Sequence, residues 1–217
     1  MRDARGIAKV TLSPRRLEAL TDAVFAIVMT LLVLELSVPI IAEGSVHAEL
    51  WSRLINMWPK FLSYGVTFLM LGFMWIFHHR QFSHIKRLDN VFAWINVIAL
   101  MFVALLPFST SLLGEYIYEQ VPVLIYGGNF IACTIARYIS WLYATGNYRL
   151  VDRDIDPQEV KIPKVWLPIS VGVILIGMGV SFLSTIASIC IFAALLIFSA
   201  VRSTLSYRVG ALRQSSK

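Results

Sequence analysis

The sequence predicts an all-α integral membrane protein with six transmembrane helices, and three observations carry that reading. Hydrophobic residues make up 58% of the 217 and charged residues only 15%, with a mean hydropathy of +0.72, well beyond the apolar share of soluble domains. Six apolar runs each approach the roughly 20 residues a helix needs to cross about 30 Å of hydrocarbon. The basic residues gather at alternate connections, as the positive-inside rule requires of a polytopic chain.

The first run, at 17–39, contains "RLEALTDAVFAIVMTLLVLEL", apolar except for Arg16, Glu18 and Asp22 at one end and Glu35 at the other. "VPIIAEGSVHAELWSRLINMWPK" separates it from the second run at 61–77, and "HHRQFSHIKRLDN" leads to the third at 91–113. "LGEYIYEQVP" precedes the fourth at 121–145. The stretch 146–164, "NYRLVDRDIDPQEVKIPK" in its charged part, reads as a solvated connector. The remaining apolar residues are too many for one span, so they read as a hairpin, 165–182 and 185–201, with a tight turn near Ser184. No internal repeat is visible and no connection is long enough for a second domain, so residues 1–217 form a single six-span domain.

Placing both termini in the cytoplasm puts Arg2, Arg5, Lys9, Arg15, Arg16, Arg80, Lys86 and Arg87 inside. Arg149, Arg153, Lys161, Lys164, Arg202, Arg208, Arg213 and Lys217 join them; Arg53 and Lys60 lie outside, and Arg137 falls within the fourth span. The net charge of +6 therefore reports orientation in a lipid bilayer and not affinity for nucleic acid. The first apolar run is long enough to span and is not read as a cleaved signal. Cys133 and Cys190 lie in apolar runs with no metal-type spacing, and read as packing residues.

Ionisable groups within a span are costly enough to be functional candidates. Arg16 and Asp22 are six residues apart, roughly 120° around the helix, so each reaches a different neighbour instead of pairing; the alternative is snorkelling or exposure at the interface. Candidate partners on the same side are Trp75, His78 and His79 at the end of the second span and Asn90 and Asn96 in the third. Adjacent histidines face opposite sides of a helix and cannot share an ion, so a hydrogen bond from one imidazole to Asp22 is preferred over a metal site. Arg137 either snorkels or pairs with Asp152 or Asp154. On the first helix Ile27, Leu31 and Leu34, extended by Leu20, Val24 and Val38, form one stripe, as packing, lipid contact or a lining would. Thr30 lies about 60° off that stripe, where its hydroxyl can satisfy its own backbone.

Taken together, "RLEALTDAVFAIVMTLLVLEL", "WIFHHRQF" and "NVIALMFVALLPFSTSLLGEY" resemble the prokaryotic transmembrane protein 175 family of potassium channels. The family's first-helix signature reads Arg, three residues, then Phe-Ser-Asp before an apolar helix. Arg16 and Asp22 match it; Thr21 keeps the hydroxyl of the Ser, and Leu20 replaces the Phe. Trp75, His78, His79, Phe82, Asn96, Pro107, Phe108 and Thr110 continue the likeness over roughly 14–118; the later spans share only hydropathy. The resemblance implies a homotetramer in the plasma (inner) membrane of a prokaryote, with a central pore lined by helix one. It implies a polar network of Arg16, Thr21, Asp22, Trp75, His78 and Asn96 fixing the cytoplasmic end of that helix. Ile27, Leu31 and Leu34 then face the axis as rings narrow enough to dewet, which is a gate. The resemblance implies potassium as the permeant ion and no cofactor, with a weak selectivity attributed either to the apolar constriction of Ile27, Leu31 and Leu34 or to a nearby hydroxyl ring, for which Thr30 is the match. "SYGVT" at 63–67 is not a carbonyl filter. Glu35 either concentrates cations at the outer mouth or is a solvated helix end.

Two other function classes make different demands on the sequence. A proton-coupled secondary transporter using Asp22 and His78 as relay groups would call for broken helices at mid-membrane and repeats, whereas Pro107 and Pro168 lie towards helix ends. An enzyme would need convergent nucleophile, base or metal ligands at membrane depth. The deep polar residues are Thr30, Asn96, Asn129, Arg137 and some serines, and there is no nucleotide-binding glycine loop. "GGNFIAC" and "VGVILIGMGV" read as close helix packing.

Overall fold

The computed structural model describes residues 13–195 together with 197 and 198, and these are all-helical. The helices are α1 (Pro14–Leu34), α2 (Val46–Asn56), α3 (Trp58–Ser83), α4 (Asn90–Ala104), α5 (Leu106–Glu115), α6 (Gln120–Thr145), α7 (Pro157–Val180) and α8 (Thr185–Leu195). Five helical stretches are long and apolar enough to cross a membrane: α1, α3, α4 with α5, α6, and α7. The expected sixth span begins as α8; residues 196 and 199–201 of it, like most of the terminal basic residues, lie outside the described residues.

Three of the long helices start at a side-chain cap. The Ser13 side chain accepts the Arg16 amide at 3.4 Å and Pro14 takes the first position, where no amide is needed. Asp89 caps α4 by accepting from the Phe92 amide at 2.8 Å. Its other oxygen accepts from the Tyr143 hydroxyl at 2.7 Å, which ties that cap to α6. Asp156 and Pro157 open α7 in the same way. Helix ends follow equally local rules. α1 stops at Leu34 because Ser37, Val38 and Pro39 follow, and a residue before proline avoids the helical region. The third span breaks at Leu105, between α4 and α5, because Pro107 has no amide for the Val103 carbonyl and its ring crowds that turn.

α1 packs on α3, α4 and α5; α6 packs on α4 and α5 on one side and α7 on the other. The main core takes Phe25, Val28 and Leu32 from α1, Leu71 and Met74 from α3, Leu106 from α5, and Tyr126 and Phe130 from α6. A second core closes one end with Leu17, Phe82, Phe92, Leu150 and Val151. That end corrects the expectation of a solvated connector at 146–164. Asn147 and Tyr148 take left-handed backbone, φ 51° and 54°, and fold the chain back under the bundle. Ile85 and Val151 then form an antiparallel bridge, and the Lys86 amide donates to the Leu150 carbonyl at 2.9 Å. Residues from Pro157 onward already belong to α7. Two apolar residues among charges are a weak signal in sequence, yet Leu150 and Val151 are fully covered.

A further difference is α2, which hydropathy left within a polar linker. None of its residues is buried, and Glu49 and Arg53 are paired one turn apart at 3.1 Å. In the glycine-rich runs one glycine each packs closely: a Cβ on Gly127 would stand 2.7 Å from Met178 Cγ, and one on Gly177 2.6 Å from Phe192 Cε1, whereas Gly128, Gly172 and Gly179 have no neighbour within 4 Å.

The first helix and its polar anchor

α1 has two unlike sides. Leu17, Thr21, Phe25, Val28 and Leu32 are buried against the rest of the chain. Ile27, Leu31 and Leu34 are 58%, 42% and 72% exposed, and Ala19, Leu20, Ala23, Ala26, Thr30 and Val33 are exposed with them. Helical periodicity alone separates the sets: residues seven or eight apart share a face, and three or four apart sit one turn along it. The stripe of Ile27, Leu31 and Leu34 therefore does not serve packing within the chain. Val24 lies half-buried at its margin, and Val38 is beyond the helix.

The N-terminal half of α1 is held by three polar contacts to neighbouring helices. The Trp75 indole donates to Asp22 Oδ1 at 2.8 Å. One turn earlier, Glu18 Oε1 lies 3.2 Å from His79 Nδ1. The pairs 22 with 75 and 18 with 79 show that α1 and α3 run antiparallel, and the Trp75 and His79 rings stack with centroids 6.1 Å apart. On the α4 side, the Asn96 amide donates to Thr21 Oγ1 at 2.9 Å, while that hydroxyl donates to the Leu17 carbonyl at 3.0 Å. Thr21 and Asn96 are fully enclosed, where an unmade hydrogen bond costs about 1–3 kcal/mol.

Two members of the expected network stand apart. Arg16 is exposed, and among the described residues its side chain has no hydrogen bond or ion pair. The reason is angular: five residues at about 100° each put it roughly 140° from Thr21, pointing away from α3 and α4. His78 is buried but meets no carboxylate; its ring lies against Phe82, centroids 4.3 Å apart, and its Nε2 has no hydrogen-bond partner. The imidazole expected on Asp22 is replaced by the Trp75 indole, and the histidine that does reach an acid is His79, through Glu18. Asn90 opens α4 and is exposed. Arg137 does not pair with Asp152 or Asp154: Asp152 accepts from Arg87 at 3.0 Å, and Arg137 Cζ stands 5.0 Å over the Phe77 ring.

At the opposite end of α1, Glu35 caps the helix beside a cleft shared with Lys60, Tyr64 and Thr110. Lys60 is engaged elsewhere, 2.5 Å from Glu115. Thr30 Oγ1 donates to the Ile27 carbonyl at 2.7 Å, so its lone pairs stay free on the uncovered side. Sequence reasoning missed a chain of hydroxyls across α5, α3 and α6. Thr110 donates to Thr67 at 3.0 Å, and Thr67 meets the Tyr126 hydroxyl at 3.0 Å, all three buried. Thr67 lies one turn from Met70 and Leu71, on the face of α3 that carries the core, which is the signal that could have revealed it.

Residues 16–107 match the family described as endosomal/lysosomal potassium channel TMEM175. A potassium channel of Chamaesiphon minutus is 36% identical over 87% of this chain and 94% of its own length. A potassium channel of Streptomyces collinus is 35% identical over 69% of this chain and 73% of its own. The longer TMEM175 of Gallus gallus, named an endosomal/lysosomal proton channel, is 33% identical over 48% of this chain but only 22% of its own. In structure, the chain superposes on the crystal structure of a lysosomal potassium-selective channel TMEM175 homolog from Chamaesiphon minutus. That match has a TM-score of 0.77 at 34% identity and covers 88% of this chain and 97% of the other. With likeness running nearly end to end in both sequence and fold, this chain belongs to the TMEM175 family.

Proposed function

We propose that the protein is a passive, weakly selective potassium channel, assembled as a homotetramer of six-span subunits around a pore lined by α1. The observation that carries this reading is the uncovered side of α1. A helix on a four-fold axis must meet the pore on one sector and neighbouring copies on two others, so it needs a wide arc free of its own subunit. The exposed arc from Ala19 through Ile27, Thr30 and Leu31 to Leu34 has that width, while the polar contacts of Thr21 and Asp22 hold the other side. Relatives of similar length named as potassium channels support the permeant ion.

In this assembly Ile27, Leu31 and Leu34 repeat as apolar rings, and a constriction too narrow to stay wet closes the path without any moving plug. The Thr30 hydroxyls, free to accept, are the selectivity candidates next to it, and Glu35 sits at the outer mouth, where four carboxylates draw cations in. Both termini and the Asp22 end lie in the cytoplasm of a prokaryote, with the chain in the inner membrane. Conduction involves no catalytic step and no cofactor. The transporter alternative loses its relay, because the Asp22 carboxylate is engaged by Trp75 and not by His78.

The test is the reversal potential of purified protein in planar bilayers under opposed potassium and sodium gradients, with Ile27→Asn alongside. Reversal towards the potassium potential and a several-fold larger conductance in the variant are expected, since one polar group per subunit hydrates the constriction. Leu31→Ala, which widens the ring, acts in the same direction. Unaltered conductance in both correctly assembled variants removes α1 as the lining.

A further inference from the structure

A cavity of about 20 Å³ lies beside the α1 anchor, between α1, α3, α4 and α6, lined among others by Thr21, Phe25, His78, Gln81, Asn96 and Arg137. That volume holds one water-sized particle. Three groups around it are more than nine-tenths buried and lack partners: His78 Nε2, Gln81 Nε2 and Arg137 Nε. Arginine stays charged at any physiological pH and offers only donors, and an amide nitrogen is a donor as well. A cluster of buried donors around a small space calls for an acceptor.

The charge narrows the choice. A buried cation needs a counter-charge, because desolvation is repaid only by close pairing. Five carboxylates at this end are committed elsewhere. Glu18 faces His79, Asp22 accepts from Trp75, and Asp152 pairs with Arg87. Glu159 accepts from Arg80 at 3.0 Å, and Asp89 takes the Phe92 amide and the Tyr143 hydroxyl. Among the described residues no carboxylate forms an ion pair with Arg137, and its guanidinium stands 5.0 Å over the Phe77 ring. A water in the cavity would satisfy donors but leave the guanidinium charge uncompensated.

We propose that this cavity is a binding site for one small monovalent anion of halide size, held by Arg137 with the side-chain nitrogens of Gln81 and His78. The bound anion neutralises Arg137 and bridges α6 to α3 directly behind the Thr21–Asn96 contact, so its occupancy stiffens the end of α1 where that helix is anchored. The site concerns a counter-ion within each subunit and is independent of which cation crosses the membrane.

The experiment uses the purified full chain in detergent at fixed potassium concentration, titrated with bromide against gluconate, which is too large for the cavity. Thermal unfolding is the readout, and a bromide-soaked crystal supplies anomalous scattering. Wild-type protein is expected to gain several degrees of unfolding temperature, saturably, and to show one anomalous peak per subunit within reach of Arg137. Gln81→Leu keeps the charge and removes one donor, so half-saturation needs about tenfold more bromide. Arg137→Met loses the response altogether. Should Arg137→Met not fold, Gln81→Leu and the anomalous peak decide the matter alone. A wild-type unfolding temperature indifferent to bromide, with no anomalous peak in the cavity, overturns the proposal in favour of water. A copurified phospholipid phosphate at Arg137, entering from the α6–α7 side, overturns it in favour of a lipid headgroup.

Discussion

At the scale of single residues, the anchor of α1 depends on which side chain lies one turn from which. Asp22 and Trp75 share a charge-assisted hydrogen bond of 2.8 Å, a class of contact worth about 1.5–3 kcal/mol when enclosed and less where solvent reaches it. Asp22→Ala and Trp75→Phe are each expected to cost about 1–2 kcal/mol of stability, and the double variant less than the sum, because both remove one interaction. Arg16→Ala is expected to leave the hold of α1 on α3 and α4 unchanged, since that side chain makes no hydrogen bond or ion pair to either helix. Thermal unfolding of the four variants beside wild type checks all of this, and full additivity of Asp22→Ala and Trp75→Phe rules the contact out. Sequence alone marked Asp22 as expensive and Trp75, His78 and Asn96 as reachable. It could not rank them, because a rotation of α3 by one residue exchanges the buried histidine for the exposed one. His79 thereby reaches Glu18 while His78 turns into the bundle.

At the scale of elements, the bundle depends on close approaches that only glycine permits. Gly127 on α6 faces Met178 of α7, 2.7 Å from where a Cβ would stand, whereas the adjacent Gly128 faces open space. Gly127→Ala is expected to cost about 1–3 kcal/mol through overpacking, softened if the flexible methionine moves. Gly128→Ala is expected to be neutral or to gain up to about 1 kcal/mol from helix propensity. Equal unfolding temperatures for the two variants would refute the packing assignment. The sequence reads both glycines as packing residues, and Gly128 is not one, since which neighbour faces α7 depends on the rotation of α6. The connector failed for a related reason. Leu150 and Val151 are too short an apolar run to show periodicity, and their burial comes from the left-handed turn at Asn147 and Tyr148 and from pairing with Ile85.

At the scale of the whole molecule, α1 keeps an apolar side that its own chain does not cover, the side that the proposed assembly turns to the pore and to neighbouring copies. Native mass spectrometry of protein released from detergent micelles is expected to give four copies per particle. Monomers under conditions where Ile27→Asn still alters conductance would force a different pore geometry. A charge placed on the uncovered stripe, as in Leu31→Asp, is expected either to wet the constriction or to weaken assembly, and conductance measured beside particle mass separates the two.

What the sequence determined by itself is the part governed by one-dimensional rules. Run length against membrane thickness gave the five membrane-length stretches but not α2, the 3.6-residue period gave the two sides of α1, and Ser13, Asp89, Pro107 and Pro157 set ends and breaks through chemistry local to a turn. What only the tertiary structure decided is which polar group meets which. The indole took Asp22 in place of an imidazole, Arg16 was left outside, and Arg137 was sealed in without an acid. Those outcomes depend on the rotation of each helix about its own axis, and that rotation is fixed by the packing of all the helices at once.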